Sequence, residues 1–272
     1  MKNKKGLLIG LAVTACTVVA GTLFWQRSQI RPEPEAVAPA PPTPAGQTNP
    51  ALPAPMVIPA PQTIDLEHSD DMFREKAKAL STLPKFADWL KTEDLVRRLT
   101  AAVDCIADGT SPRDSLGFLS PRKKFTVKTV RGRIFIDPKS YARYDLVADA
   151  VDSVNAQAAA TLIKDLRPYF QAASRELGTP ARDFQSTLVK AIKETLKTPV
   201  VQRDIPLREK VISFAIAPLP DVELEDLTAA QKHLLRMGPK NTVKIQGKLR
   251  DIALAMGVPG DQLPQQKIYT AK

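Results

Sequence analysis

The chain offers few residues able to do chemistry. It has two histidines, His68 and His233, and two cysteines, Cys16 and Cys105. Metal sites need clustered His, Cys or carboxylate ligands, and these four lie far apart along the chain. No HExxH, CxxC, GxSxG, Walker loop or GxGxxG occurs, so zinc hydrolysis, dithiol chemistry, a serine-hydrolase elbow and a nucleotide cradle have no carrier. No catalytic residue, metal or cofactor is assigned on this basis. Glu223, Glu225 and Asp226 precede a helical stretch, where carboxylates suit the positive end of the helix. They would form an acid–base pair only by meeting His233 across a cleft. Cys105 is the one cysteine of the folded region, which excludes a disulfide within it; the expected state is a half-buried inert thiol, with an intermolecular disulfide as the alternative.

Two short stretches concentrate groups suited to recognition. "DPKSYARYD" sets Tyr141, Arg143 and Tyr144 beside Asp145, and Arg167 follows in "RPYF". These residues could hold a planar or anionic ligand. More often such side chains stack on one another and tie a loop to a helix, because buried Tyr and Arg find internal partners. "RMGPKN" has the same ambiguity: glycine and proline account for a sharp corner, leaving Arg236, Lys240 and Asn241 for recognition.

Charge is the broadest functional hint. The chain carries a net charge of +10, and from residue 62 onward it holds 34 Lys and Arg against 27 Asp and Glu. Arg122, Lys123, Lys124, Lys128, Arg131 and Arg133 fall together without an intervening acid. Arg236, Lys240, Lys244 and Lys248 recur every fourth residue, the spacing of one helix face. Such runs are usually solvated surface; the functional reading is attraction to an anionic polymer or membrane surface. Nucleic acid is not expected, since few aromatics accompany the stripe.

The elements that must position these groups are mostly helices. Ser69 can cap "DDMFREKAKALS" and Thr92 can cap "EDLVRRLTAAVDCIADG", where Leu95, Leu99, Ala102, Val103 and Ile106 share a face ahead of Gly109. Asn155 can cap the run through Ala159, Leu162, Ile163, Leu166, Phe170, Ala173 and Leu177, which Pro168 should kink or break. Phe184, Leu188, Ile192 and Leu196 line a further helix, and two more meet at Gly238-Pro239. "KKFTVKTVRGRIFID" alternates around Arg131-Gly132 as a hairpin, and "KVISFAI" reads as another strand. The expected fold is mainly α within the α+β class: one helical domain with a small antiparallel hairpin or three-stranded sheet, over residues 63–258, followed by a flexible tail at 259–272.

Upstream lies a different kind of sequence. Gly6–Trp25 has no charge, and twenty helical residues span about 30 Å, the thickness of a hydrocarbon core. A cleavable signal has a shorter apolar run. Val13-Thr14-Ala15-Cys16 resembles a lipobox, yet the chain stays apolar after the cysteine, so the favoured reading is a membrane-spanning helix at 6–25. Lipidation at Cys16 and signal cleavage are the alternatives. Lys2, Lys4 and Lys5 make residues 1–5 a basic cytoplasmic head, which places the rest across a bacterial inner membrane, in the periplasm. Residues 32–61 hold eleven prolines, so 26–62 reads as an extended Pro/Ala linker reaching up to about 90 Å.

With these parts in view, "RPYFQAASRELG", "DPKSYARYD" and "QKHLLRMGPKN" behind an anchor and a Pro-rich spacer resemble a bacterial family, the domain of unknown function numbered 3014. The likeness runs from about Ile64 to Ile252, and "LLRMGPKN" is its most specific element. The resemblance implies a membrane-attached envelope protein and brings no activity, ligand or catalytic residue. The functional expectation is a non-enzymatic docking or adaptor module for an envelope protein partner or an anionic surface; the alternative is a periplasmic enzyme with a site around Tyr141, Arg143 and Arg167. The anchor reading has a direct test. Cys16→Ser should leave membrane attachment and apparent mass unchanged in cell fractions, whereas labelled fatty acid incorporated by the parent and lost in the variant would establish a lipoprotein instead.

Overall fold

Apolar spacing and proline placement set the helices of the domain. The computed structural model describes residues 64–270 apart from 212, 220, 221, 223 and 225. The basic head, the anchor with Cys16 and the linker therefore lie outside the described residues, as do Glu223 and Glu225. Among the described residues no helix is long and apolar enough to cross a membrane.

Three helices come first: α1 (Ser69–Ala77), α2 (Pro84–Trp89) and α3 (Leu95–Ala107). A hairpin of β1 (Val127–Val130) and β2 (Arg133–Ile136) follows, then α4 (Pro138–Ala142), α5 (Asp145–Asp152), α6 (Ala156–Asp165), α7 (Arg167–Glu176) and α8 (Phe184–Leu196). The chain continues through β3 (Val200–Val201), β4 (Pro206–Glu209), β5 (Phe214–Ile216), α9 (Ala229–Leu235), α10 (Pro239–Ala255) and β6 (Ile268–Tyr269). The fold is mainly helical with a small antiparallel sheet. That sheet has four strands in the order β1-β2-β4-β5, one more than expected, and β3 pairs with β6 in parallel.

Several expected boundaries hold. Asn155 Oδ1 accepts the Ala158 N–H at 2.8 Å, capping α6. Pro168 does break its helix: α6 ends at Asp165, and α7 starts at Arg167 with the proline in its first turn, where the missing N–H would have been unpaired anyway. Arg131 and Gly132 take φ of 49° and 75° and turn the hairpin, the twist that matches right-handed strands.

Others are corrected by tertiary partners. Ser69 lies inside α1, not before it, and its buried hydroxyl donates to the Leu66 carbonyl. Thr92 does not cap α3; the first N–H of that helix, on Leu95, donates instead to Asp70 Oδ1 of α1 at 2.8 Å. The "KVISFAI" strand shrinks to β5, because Lys210 and Ser213 pair across a turn and its partner is β4 upstream. Leu177 is 45% exposed and leaves the core face to the residues before it.

The core falls into separate clusters of aromatic and aliphatic side chains. Phe170 stacks on Phe184 with ring centroids 4.3 Å apart, and Phe73 meets Phe170 edge-on at 6.4 Å. Leu95, Leu162 and Leu166 fill the space around them. A second layer of Ile136, Ile205, Leu224 and Leu235 lies against the sheet. Phe125, just before β1, and Phe214, at the start of β5, lie with ring centroids 6.1 Å apart.

Helix α10 is the hub: it packs on α5, α6, α8 and β3. Its Gln246 is buried. The amide Nε2 donates to the carbonyls of Thr195 at 3.1 Å and Thr198 at 2.8 Å, satisfying the end of α8. Its Oε1 accepts from Gln266 at 2.9 Å.

That last contact corrects the expected flexible tail. Residues 259–270 are part of the fold: Leu263 is buried, and the Val200 and Gln202 N–H groups donate to the carbonyls of Lys267 and Tyr269, both at 2.8 Å. Gln246→Leu should thus destabilise the domain by about 1–3 kcal/mol for each buried carbonyl left unpaired. Leu254→Ala, at a 47% exposed position of the same helix, should stay within about 0.5 kcal/mol. Urea denaturation of both variants checks the contrast.

Candidate functional site

The two stretches singled out from sequence meet in space. "DPKSYARYD" follows β2 directly and forms the cap and all of α4 and the start of α5, while "RMGPKN" is the corner between α9 and α10. Asp137 caps α4 by accepting the Lys139 N–H at 2.8 Å, and Pro138 follows it. Ser140, fully buried, donates to the Thr126 carbonyl and accepts the Thr126 N–H, both at 2.7 Å, which fixes α4 to the hairpin.

At the corner, Gly238 has φ of 86° and Tyr141 packs directly on it. A Cβ built at Gly238 would lie 2.4 Å from Tyr141 Cγ, so both backbone angle and space demand glycine. Asn241, 1% exposed, completes the joint. Its Nδ2 donates to the Tyr141 carbonyl at 3.1 Å, the Met237 carbonyl at 2.9 Å and Asp145 Oδ1 at 2.9 Å. One side chain thereby ties α4, α5 and the end of α9 together.

A cleft of about 200 Å³ opens beside this joint, lined by Tyr141, Asp145, Gly238, Lys240 and Asn241. Its chemistry is subdued. Burial raises the Tyr141 phenol well above its ordinary pKa, and the charge of Asp204 adds to this, so it stays protonated and is no base at neutral pH. Asp145 is engaged by Asn241 and lies 3.5 Å from Lys240. No nucleophile beside a base is assembled here.

The remaining expected site residues divide sharply. Arg143 serves structure: Nε donates to the Ser140 carbonyl at 3.0 Å and Nη1 to the Lys123 carbonyl at 2.9 Å. Its guanidinium also lies 5.3 Å from the Tyr144 ring and 5.6 Å from the Phe125 ring. Arg167 does not join this group; it pairs with Asp183, the cap of α8, at 2.6 Å.

The α10 stripe is not a free basic face. Lys244 bonds Asp149, with Asp152 and Asp145 nearby, and this hydrogen bond raises its pKa. Lys240 faces Asp145, while Lys248 is half-buried with no carboxylate partner among the described residues. Asp145 and Asp149 on α5 share the four-residue spacing of Lys240 and Lys244, so the two faces match charge for charge.

The hairpin differs. Lys128 pairs with Asp204 at 2.8 Å, but Arg122, Lys123, Lys124, Arg131 and Arg133 are exposed without a carboxylate partner among the described residues. Arg133 instead lies over the Phe135 ring at 5.5 Å. Among the described residues no three His, Cys, Asp or Glu converge as metal ligands.

Fold and corner together define a helical domain whose most distinctive residues build a joint between elements. The family model described as "Protein of unknown function (DUF3014)" matches residues 95–253, and the chain belongs to that family. The match covers α3 through most of α10, including both halves of the joint. No curated protein and no solved structure matches the chain.

The joint predicts a strong effect from a small change. Gly238→Ala must adopt a left-handed φ and displace the Tyr141 ring, which should cost about 1–3 kcal/mol. The loss is read as a lower urea midpoint with an unchanged slope. Gly247→Ala, where a new methyl meets nothing within 4 Å, should be neutral or stabilising by comparison.

Proposed function

We propose that the chain is a non-enzymatic envelope protein, anchored in a bacterial inner membrane by residues 6–25, with a periplasmic domain that docks on an anionic membrane surface. The observation that carries this reading is the charge left over once internal pairs are removed. Arg122, Lys123, Lys124, Arg131 and Arg133 remain exposed without carboxylate partners among the described residues. The lysines first expected to serve, Lys240 and Lys244, are occupied by α5.

Two apolar side chains lie with Arg131 and Arg133 at the turn end of the hairpin, whereas Arg122, Lys123 and Lys124 precede β1 at its other end. The β1–β2 and β4–β5 turns leave one end of the sheet, because β2 is antiparallel to both β1 and β4. There Val130 is 45% exposed and Val211 fully exposed. Basic residues with isolated apolar ones suit a lipid interface, where each Lys or Arg near an anionic surface is worth about 1 kcal/mol. The enzyme alternative needs Tyr141, Arg143 and Arg167 around one cleft, and Arg167 is committed to Asp183.

Flotation of residues 59–272 with vesicles of mixed phosphatidylglycerol and phosphatidylethanolamine tests the reading. Binding should fall steeply with salt, since exposed charges are screened within ~10 Å at 0.1 M. Lys124→Gln, Arg131→Gln and Arg133→Gln together should weaken it on the order of a hundredfold. Lys240→Gln with Lys244→Gln should not. Salt-insensitive binding, or a hairpin variant that binds like the parent, refutes docking by this surface.

A further inference from the structure

The last turn of α9 and the residue after it carry a positive locus with no counter-charge among the described residues. His233 and Arg236 are three residues apart and share a face of the helix end. The His233 ring meets Tyr144 edge-on, with centroids 6.5 Å apart. Arg236 is half-buried, and among the described residues its guanidinium makes one hydrogen bond, to the Lys232 carbonyl at the limiting distance of 3.5 Å. A guanidinium has five N–H donors, so most of its capacity is unspent.

Four other arginines of the domain are treated differently. Arg74, Arg97, Arg167 and Arg182 each hold a carboxylate. Arg236 has none among the described residues, and burial lowers its pKa, offset only by Tyr144. His233 is in the same position. Burial, then Arg236, then Arg113 hold its pKa below the ordinary histidine value. Those two arginines and Tyr144 are the charged or titratable groups acting on it among the described residues, and none is acidic. Withdrawing a cation from water without a partner is costly, so the arrangement is incomplete as it stands.

We propose that Arg236 and His233, flanked by Tyr144 and with Arg113 at the rim, form a binding site for a tetrahedral oxyanion: phosphate, free or as a phosphomonoester. The guanidinium fork matches phosphate oxygens, and the imidazole adds a second donor that becomes a second charge when protonated. A phosphate dianion supplies the counter-charge that Arg236 lacks among the described residues. The site is independent of the lipid-docking hairpin.

The two histidines give a built-in control. His68 is exposed, and its hydrogen bond to Asp65 raises its pKa, whereas that of His233 is lowered. In the full chain in non-ionic detergent, imidazole NMR signals should therefore titrate above the ordinary value of about 6.5 for His68 and below it for His233. Inorganic phosphate should shift His233 saturably and raise its midpoint. His68 should move no more than it does in chloride of equal ionic strength.

Sulfate keeps its charge between about pH 5 and 8, so its affinity should rise as pH falls through the His233 midpoint, and His233→Gln should remove that rise. Arg236→Gln should weaken phosphate binding on the order of tenfold or more, and Arg236→Lys should recover part of the loss. Glycerol 3-phosphate binding as well as inorganic phosphate would indicate a phosphomonoester or lipid head group; a clear preference for the inorganic ion would indicate free phosphate. A His233 signal unmoved by phosphate, or moved equally by chloride, overturns the proposal, as does a folded Arg236→Gln variant that binds like the parent. The hairpin triple variant should bind phosphate unchanged, so loss of lipid docking and loss of this site are separable.

Discussion

The carboxamide of Asn241 is the contact on which the arrangement of the domain turns. It is sealed from solvent and serves the Tyr141 carbonyl and the Asp145 carboxylate, 100 and 96 residues away, together with the Met237 carbonyl one turn back. Its own Oδ1 finds no partner among the described residues, a cost of about 1–3 kcal/mol that the rest of the joint must offset. Tight packing of Tyr141 on Gly238 is what brings those acceptors within reach. Five residues on, Gln246 repeats the device at the end of α8. Two buried amides on one helix thus hold α4, α5, α8 and the chain end around it.

This gives the most specific stretch of the family a structural meaning. Met237 is buried, Gly238 admits the tyrosine, Pro239 opens α10, Lys240 faces Asp145 and Asn241 ties the joint. A motif so fully used for packing leaves little of itself for a ligand. The residues with unspent capacity lie just outside it, in the basic hairpin and at Arg236.

Legibility from sequence followed the range of the interaction. Local signals were readable: the Asn155 cap, the break at Pro168, the Arg131-Gly132 turn and the Gly238-Pro239 corner depend on residues within one turn of each other. Non-local ones were not. The N–H of Leu95 finds Asp70 in another helix, a pairing no capping pattern encodes. Strand β4 begins with proline and ends in charged residues, so β-propensity is silent, and it forms because β2 and β5 flank it. The lysines of α10 looked solvated because their spacing was visible while the matching aspartates of α5 belonged to a separate pattern. For the same reason the four-residue spacing groups Arg236 with those lysines, although its surroundings are opposite to theirs: Lys240 and Lys244 have acids, and Arg236 has none among the described residues.

The parallel pairing of β3 with β6 carries an implication for the order in which the domain can be made. Val200 and Val201 sit in the middle of the fold, yet their partners are Ile268 and Tyr269. A ribosome delivers the first pair well before the second, so the end of α8 and the strand after it must wait with open backbone groups while α9 and α10 are synthesised. Gln246 is in the same situation, since Gln266 supplies the donor for its Oε1. Vectorial synthesis and final assembly therefore run out of step, and a nascent domain halted before residue 266 would present an unpaired strand to whatever chaperone or neighbouring chain it met first.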